Sequence, residues 1–359
     1  MIPPLAAVAL ISFSVCVALV PVVRMLCLRF GAVDNPGPLK IHTRPVPRLG
    51  GLAVVVSIIA GIFFCCRQPP SAIAYFLAAL SIIWIAGFAD DLRDISPLAR
   101  IAAQTFSGVL LWLGGWRFLP EIVSPKFGGL SAILACGLVV AVANGFNFLD
   151  GTDGLAAGVA AIVGASYLAI SFGMAIAPIT LSVAAGLAGS CVAFLVFNSP
   201  RASIFLGDSG STALGFCVAF LALNSTHAIH PAEAIQFAPL LIAALPLLDA
   251  ALALTRRLRR KASPLLGDRR HIYDLLMIER GWSPRRVVFV AYAITASLAV
   301  VAWFGQQYGL RGFLVLSGLS LAGLLIPAIR LGCLRAEQPP TTLQGPGIKQ
   351  NRAHLSSFR

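Results

Sequence analysis

Long apolar stretches, each close to the length that a helix needs to cross a lipid bilayer, follow one another along almost the whole chain. Short polar segments rich in glycine, proline, asparagine and aspartate separate them. The pattern predicts about eleven transmembrane helices, with ten as the alternative because the eighth stretch is short and ends in polar residues. The predicted ranges are 5–23, 50–66, 71–89, 97–115, 128–143, 155–173, 178–197, 211–226, 235–254, 287–304 and 311–329.

The composition limits the class of protein. Only 11% of the 359 residues are charged and 58% are hydrophobic, whereas roughly 25% of the residues of a soluble domain are charged. A bilayer accommodates this much apolar surface because each helix satisfies its own backbone hydrogen bonds while its side chains face lipid. We therefore predict an all-α polytopic integral membrane protein, in which residues 1–329 form a single transmembrane domain and residues 330–359 a basic, disordered tail.

The basic residues predict the orientation. Of the 27 lysines and arginines, 23 fall in loops that follow odd-numbered stretches or in the C-terminal tail, which marks that side as cytoplasmic. The N-terminus is then outside, the tail is cytoplasmic, and the first stretch is a retained span rather than a signal peptide. The net charge of +13 follows from this bias and gives no case for nucleic acid as a partner.

The acidic residues gather on the same side, although the orientation rule does not require it. All 14 except Glu121 and Glu233 lie at or near predicted cytoplasmic ends of spans. Carboxylates and cations on one face indicate a metal and phosphate site rather than a transport path through the bilayer midplane. Asp90 and Asp91 end the third stretch and suit a magnesium site or a general base, the alternative being a solvated helix end with Arg93 as counter-ion.

Two polar segments join predicted spans on that face. Residues 144–158, NGFNFLDGTDGLAAG, contain seven Asn, Asp and Gly residues before the next helix begins, where an ordinary turn needs one or two. The positive end of that helix would face a phosphate or a carboxylate. Residues 197–211, FNSPRASIFLGDSGS, offer Asp208 as a metal ligand between glycines that allow close approach, and Phe205 either stacks on a base or is a membrane-boundary aromatic.

Two basic loops complete the predicted face. The loop at 34–51 contains four prolines, which stiffen it and hold its cations against the membrane in a way that favours anion binding. In the loop at 255–286, guanidinium groups beyond the Ser263-Pro264 break are placed to grip a pyrophosphate. The candidate residues are Lys40, His42, Arg44 and Arg48 in the first loop and Arg269, Arg270 and His271 in the second.

Taken together and in order, these motifs resemble the polyprenyl-phosphate N-acetylhexosamine-1-phosphate transferase superfamily, the glycosyltransferase family 4 type that includes the peptidoglycan translocase and the enzymes that initiate O-antigen. The resemblance extends from about residue 34 to residue 284. It is carried by K-x-H-x-x-P-x-P-R-x-G-G, the aspartate pair, N-x-x-N-x-x-D-G-x-D-G-L, F-x-G-D-x-G-S, and P-L-L-D (246–249) followed by D-R-R-H. Domain 1–329 is then the catalytic domain, with its active site at the cytoplasmic face.

The resemblance implies transfer of a sugar-1-phosphate from a UDP-N-acetylhexosamine to undecaprenyl or another polyprenyl phosphate, with release of UMP. Magnesium is the implied cofactor, with manganese as a substitute. Many relatives that use UDP-N-acetylglucosamine have a His-x-His-His cluster where this chain has His271-Ile272-Tyr273-Asp274. The resemblance therefore leaves the sugar open, and a 6-deoxy or otherwise modified N-acetylhexosamine stays among the alternatives.

The same resemblance implies a role for each candidate residue. Asp208 and Asn147 would bind the metal, and Asp90 or Asp91 would bind or deprotonate the lipid phosphate. Catalytic residues are then Asp90, Asp91, Asp208 and His271. Substrate-binding residues are Lys40, His42, Arg44, Arg48, Asn144, Asp150, Asp153, Phe205, Arg269 and Arg270, of which Asn144, Asp150 and Asp153 match the nucleotide-binding segment and Phe205 the uracil-stacking aromatic.

Two other classes of membrane protein share part of this pattern. An intramembrane prenyltransferase would use Asp90-Asp91-Leu92-Arg93-Asp94 as a D-D-x-x-D motif, but the sequence shows no second aspartate-rich motif and residues 144–158 stay unexplained. An ion-coupled transporter would place charges at the midplane, where only Asp249 comes near. The expected location is the bacterial inner membrane, in contact with lipid, and a homodimer is left open.

Overall fold

The computed structural model describes residues 2–36, 44–65, 70–117, 128–172, 174, 176–225, 237–261, 263 and 270–335. Within those ranges the helices are α1 Ile2–Phe30, α2 Gly50–Cys65, α3 Pro70–Leu92, α4 Pro97–Leu113, α5 Gly128–Leu149, α6 Leu155–Ile170, α7 Pro178–Asn198, α8 Gly207–Leu221, α9 Ala238–Ile242, α10 Ala244–Arg259, α11 Ile272–Ile278, α12 Pro284–Gln307 and α13 Gly309–Arg330. Two antiparallel strand pairs join β1 Val33–Asp34 to β2 Val46–Pro47 and β3 Trp116–Arg117 to β4 Asn224–Ser225.

The predicted all-α membrane class is confirmed. Among the described residues, six helices are long and apolar enough to cross a bilayer, and two shorter apolar helices, Gly50–Phe64 and Leu155–Ile170, accompany them. The six are Pro4–Phe30, Ile73–Leu92, Gly129–Leu149, Pro178–Asn198, Pro284–Gly305 and Gly309–Arg330. A count of eleven spans, the orientation of the N-terminus and the division at residue 329 stay predictions.

The ninth apolar stretch, predicted as one helix, is broken at Ala243 into α9 and α10. Pro246 accounts for the break, because proline has no N–H to donate to the carbonyl of Ile242 four residues earlier. The break lets α10 turn its buried Asp249 towards the segment that begins α11.

Helix α8 lies at the centre of the helical bundle. Every residue from Ser209 to Leu221 is buried, and α8 packs against α3, α5 and α2. Glycines make this packing possible: a Cβ on Gly215 would lie 2.6 Å from the Cα of Ala143 in α5, and one on Gly87 in α3 would lie 2.6 Å from the Cα of Ser209. Because α8 begins at Gly207 and not at the predicted residue 211, Asp208 lies in its first turn.

Helices α6 and α12 are held together by Tyr292. Its hydroxyl donates a 2.6 Å hydrogen bond to the carbonyl of Gly154, at the end of the polar segment that precedes α6. The ring crosses Gly158, where an added Cβ would lie 1.9 Å from the hydroxyl oxygen. The contact thus ties the 144–154 segment to α12.

We expect Gly158→Ala to lower the thermal midpoint of the detergent-purified protein by several degrees, because overpacking costs about 1–3 kcal/mol. Gly137→Ala is the matched control, since Gly137 lies inside α5 and an added Cβ meets no atom within 4 Å. There the gain in helix propensity, up to about 1 kcal/mol, should leave the midpoint unchanged or higher. Equal midpoints for the two variants would contradict the packing role of Gly158.

Candidate active site

The acidic residues of two separate motifs meet where α3 ends and α8 begins. Asp91 accepts hydrogen bonds from the backbone amides of Asp208 (2.8 Å) and Ser209 (3.0 Å), one on each carboxylate oxygen. These amides are among the donors that the first turn of a helix leaves without an intrahelical partner. Asp91, from a different helix, therefore caps α8 and fixes the position of Asp208.

The loop after β2 holds the same helix start from the other side. The Gly50 amide donates to the carbonyl of Phe205 (2.9 Å), and the Gly51 amide donates to that of Leu206 (2.8 Å). The Phe205 amide in turn donates to Pro47 (2.7 Å). Two predicted motifs, the basic loop and the F-x-G-D-x-G-S segment, are thus joined by backbone hydrogen bonds.

An arginine that was not predicted from the sequence, Arg100, bridges the carboxylates of Asp90 and Asp208. The Arg100 guanidinium lies 2.7 Å from Asp90 Oδ2 and 3.5 Å from Asp208 Oδ2. The other Asp90 oxygen accepts the Ile95 amide at 2.9 Å. Arg48 stands on the far side, 3.6 Å from Asp91 Oδ1, so two cations flank the three carboxylates.

The asparagine of the second polar motif completes this group. The Asn147 amide nitrogen donates to Asp208 Oδ1 at 2.7 Å and to the hydroxyl of Ser211 at 3.1 Å. Asn147 reaches the site from the last turn of α5. Residues from α3, α4, α5 and α8 therefore converge on one carboxylate, that of Asp208.

Burial and neighbouring negative charge raise the pKa of two aspartates in this group. Burial, followed by the hydrogen-bonded neighbour Asp90 and the negative charge of Asp91, raises the pKa of Asp208 from its ordinary value of 3.8 to about 7. The side chain keeps 35% of its surface exposed, so it can still be reached by a ligand. Burial also raises the pKa of Asp150, with Asp208, Asp91 and Asp153 contributing. Such a carboxylate cluster is stabilised by a cation.

An open polar cavity of about 270 Å³ adjoins the acidic cluster at Asn147. It is lined by Asn147, Phe148, Asp150, Gly151, His271, Tyr273 and Asp274. His271 is the N-cap residue directly before α11, and its ring stacks on that of Tyr273 with centroids 5.6 Å apart. The structure thus brings the predicted His271 to the same cavity as the predicted Asp150.

Several predicted binding residues make contacts within the protein. Asp153 accepts the amides of Arg201 and Ala202 through Oδ2, at 3.1 and 2.9 Å, and so shapes the loop between α7 and α8. The Asn144 side chain donates to Gln104 (2.6 Å) and to the carbonyl of Val140 (2.8 Å). These contacts give Asp153 and Asn144 positioning roles, while direct contact with a nucleotide stays a prediction for both.

The basic candidates are more dispersed. Buried Arg270 lies 3.4 Å from Glu279 and 3.2 Å from the carbonyl of Gly332, beside the end of α13. Arg44 is exposed just before β2. Lys40, His42 and Arg269 lie outside the described residues, as does the tail beyond residue 335. Binding of substrate by these residues stays a prediction.

Comparison with known proteins identifies the family to which this chain belongs. Residues 73–226 match the family model described as glycosyl transferase family 4. The chain is 30% identical to the decaprenyl-phosphate N-acetylglucosaminephosphotransferase of Mycolicibacterium smegmatis, with 88% of this chain and 87% of that protein covered. It is 32% identical to the protein of the same name from Mycobacterium tuberculosis (86% and 85% covered), and 30% identical to the undecaprenyl-phosphate alpha-N-acetylglucosaminyl 1-phosphate transferase of Escherichia coli K12 (79% and 80% covered).

The chain belongs to the polyprenyl-phosphate N-acetylhexosamine-1-phosphate transferase superfamily. It is an enzyme that transfers a sugar phosphate. This assignment excludes the prenyltransferase and the transporter as alternatives. Asp94, the third member of the alternative D-D-x-x-D motif, is exposed beyond the end of α3.

Two residues of α4 that contact predicted site residues of this transferase, Arg100 and Gln104, were not predicted from the sequence. Arg100, Gln104 and Ser107 recur at helical spacing, and the last two are buried although both are polar. On a helix that also exposes Leu98 and Leu113, such a polar stripe indicates a face turned towards a polar site. The spacing was therefore a usable indication, hidden by the overall apolar character of the stretch.

Proposed function

We propose that the transferase moves an N-acetylhexosamine-1-phosphate from a UDP-sugar to undecaprenyl phosphate, or another polyprenyl phosphate, and releases UMP. The reaction would take place at the cytoplasmic face of the bacterial inner membrane, as the first step of a lipid-linked envelope glycan such as O-antigen. The observation that carries the proposal is the convergence of Asp90, Asp208 and Asn147, flanked by Arg48 and Arg100, at one end of four helices. Two anionic substrates could approach each other there.

Magnesium fits the residues at the centre of this site. Among the described residues no three His, Cys, Asp or Glu side chains form a ready metal cage, but magnesium is usually held by one or two carboxylates together with substrate phosphates and water. Asp208 would hold it, with the carbonyl oxygen of Asn147 as a second ligand. Burial raises the pKa of Asp208 and the neighbouring carboxylates Asp90 and Asp91 add to the shift; a cation would offset their negative charge. When bound, the ion would screen charge on the pyrophosphate.

The hydrogen bonds of Asp90 and Asp91 indicate different roles for the two residues. Both oxygens of Asp91 hold amides of α8, so Asp91 positions Asp208. We assign removal of the lipid-phosphate proton to Asp90, because its Oδ2 faces Arg100 and is not used to hold α8. An oxygen of the lipid phosphate attacks the β-phosphorus, the bond from that phosphorus to the bridging oxygen breaks, and UMP leaves with the bridging oxygen. Arg100 and Arg48 reduce the repulsion between the two anions.

The donor sugar is proposed as an N-acetylhexosamine. The relatives are named for N-acetylglucosamine, but the residues after His271 depart from the His-x-His-His pattern of many such enzymes. A 6-deoxy or otherwise modified N-acetylhexosamine therefore belongs in any substrate panel.

The test is release of UMP by the purified full-length protein from undecaprenyl phosphate and a panel of UDP-N-acetylhexosamines, with the lipid product weighed by mass spectrometry. We expect one donor to give lipid-linked sugar pyrophosphate. EDTA should lower the rate at least about 100-fold, because the repulsion between the two anions is unscreened without the metal, and added magnesium should restore it. Full turnover in EDTA would exclude the metal. Failure of every donor and acceptor would overturn the proposed reaction.

A further inference from the structure

Asp249 is a buried carboxylate in α10 to which the proposed reaction assigns no part. Only 3% of the residue is exposed, and an unpaired carboxylate is costly in such a place. Its two oxygens meet the start of α11: Oδ2 lies 2.5 Å from Nδ1 of His271, and Oδ1 accepts the backbone amide of Ile272 at 2.7 Å. The carboxylate therefore grips both the ring and the backbone at His271.

This grip fixes which edge of the imidazole faces the polar cavity. His271 lines the cavity of about 270 Å³ and Asp249 does not; Asp249 lines a neighbouring pocket that is almost wholly apolar. The edge that carries Nδ1 is thus turned away from the polar cavity. A carboxylate partner keeps a proton on Nδ1, and Nε2 is the nitrogen on the opposite edge.

Aromatic neighbours prevent the ring from turning. The ring of Tyr273 is stacked at an angle of 4° and a distance of 5.6 Å, and that of Phe148 lies 5.3 Å away at 39°. The Arg257 guanidinium lies 5.1 Å from the centre of Phe148. A ring enclosed in this way has one orientation in which the hydrogen bond to Asp249 is satisfied.

We propose that Asp249 is a positioning residue of the transferase: it holds Nδ1 of His271 so that Nε2 faces the UDP-sugar bound in the cavity. The inference rests on the proposed function, because it assigns the cavity to the donor substrate. Asp249 does not touch the substrate. It acts through His271, whose Nε2 edge shares the cavity with Asn147, the residue that joins the cavity to Asp208.

Kinetics of Asp249→Asn test the proposal. We expect kcat for UMP release to fall about 10- to 100-fold, as outer partners of functional histidines do, while KM for the UDP-sugar changes less than about threefold. Thr295→Val is the control for the loss of a buried hydrogen bond, since Thr295 in α12 donates to Ala291 away from the cavity. Its kcat should stay within about twofold of wild type.

A double-mutant cycle separates positioning through His271 from a general structural role. In a His271→Ala background, Asp249→Asn should change kcat by less than about twofold. If the two single losses multiply in the double variant, Asp249 does not act through His271, and the proposal is overturned. A wild-type rate for Asp249→Asn alone would overturn it as well.

A spectroscopic measurement keeps the proposal testable if Asp249→Asn does not fold. In the full-length protein labelled with 15N-histidine, His271→Ala identifies one of the five histidine signals. We expect a proton on Nδ1 of His271 in the wild-type protein; an unprotonated Nδ1 would overturn the inference. If the wild-type protein releases no UMP, the proposed function fails while this geometry can still be measured, so the two failures are distinguishable.

Discussion

Asp208→Asn is expected to abolish turnover while leaving the protein folded. The rate of UMP release should fall at least about 1000-fold, at the upper end of the losses caused by removing a group that stabilises transition-state charge. The fold should persist because the backbone contacts of residue 208 do not use the side chain: its amide donates to Asp91 and its carbonyl accepts the Thr212 hydroxyl. The asparagine oxygen can still accept from Asn147.

The stability of this variant has a predicted sign. The pKa of Asp208 is raised to about 7 from an ordinary 3.8, so ionisation is harder in the folded state than in the unfolded state. At a pH above 7 the charged side chain therefore weakens the fold, and asparagine removes that effect. We expect the thermal midpoint of metal-free Asp208→Asn at pH 8, measured in EDTA, to equal or exceed that of the metal-free wild type.

Asp94→Asn is the matched control for charge removal near the site. Asp94 is exposed and lies outside the cluster formed by Asp90, Asp91 and Asp208, so its loss should leave the rate within about twofold. Activity of Asp208→Asn within tenfold of wild type would remove the proposed metal role. An equally inactive Asp94→Asn would show that loss of any carboxylate near the site, and not a metal role of Asp208, lowers the rate.

Gly207→Ala is expected to damage both stability and activity. Gly207 has φ +76°, and an added Cβ would lie 2.2 Å from the carbonyl oxygen of Arg48 and within 2.8 Å of both Asp91 oxygens. The left-handed conformation alone costs about 1–2 kcal/mol with a Cβ, and the overlap adds to that cost. Because relief of the overlap displaces Asp91 or Arg48, we expect the rate to fall at least about 100-fold and the thermal midpoint to drop by several degrees.

Gly281→Ala separates backbone strain from displacement of the site. Gly281 also has a positive φ, +65°, but an added Cβ there meets no atom within 4 Å. This variant should lose only the backbone term, about 1–2 kcal/mol, and keep full activity. Equal losses in the two variants would show that the close approach at Gly207 has no role in catalysis.

The helices were predictable from the sequence because their cause is local. An apolar run of sufficient length is helical in a bilayer, since no other backbone partner is available there, and each predicted stretch overlaps helical residues in the structure, the ninth as two helices. The errors come from long-range effects. Helix α8 starts at Gly207, four residues before the predicted residue 211, because Asp91 caps the added turn from 117 residues away.

The sequence predicted the types of residue in the site, but it predicted the role of each residue only in part. Asp90 and Asp208 were selected as carboxylates at the ends of apolar helices and Asn147 through the family resemblance, and the structure brings the three together. The sequence could not separate Asp91 from Asp90, because adjacent residues on a helix point in directions that only the neighbouring helices distinguish. Arg100 and Asp249 were missed as partners because each lies in an otherwise apolar segment.

By itself the sequence determined the membrane class, the helical segments and the chemical types gathered between them, because hydropathy and composition act residue by residue. Tertiary structure alone decided the partners: that Asp91 caps α8, that Arg100 joins Asp90 to Asp208, and that Asp249 holds His271. An apolar run determines that a segment forms a helix in lipid. The rotation of that helix and its neighbours depend on where glycines allow two helices to approach closely.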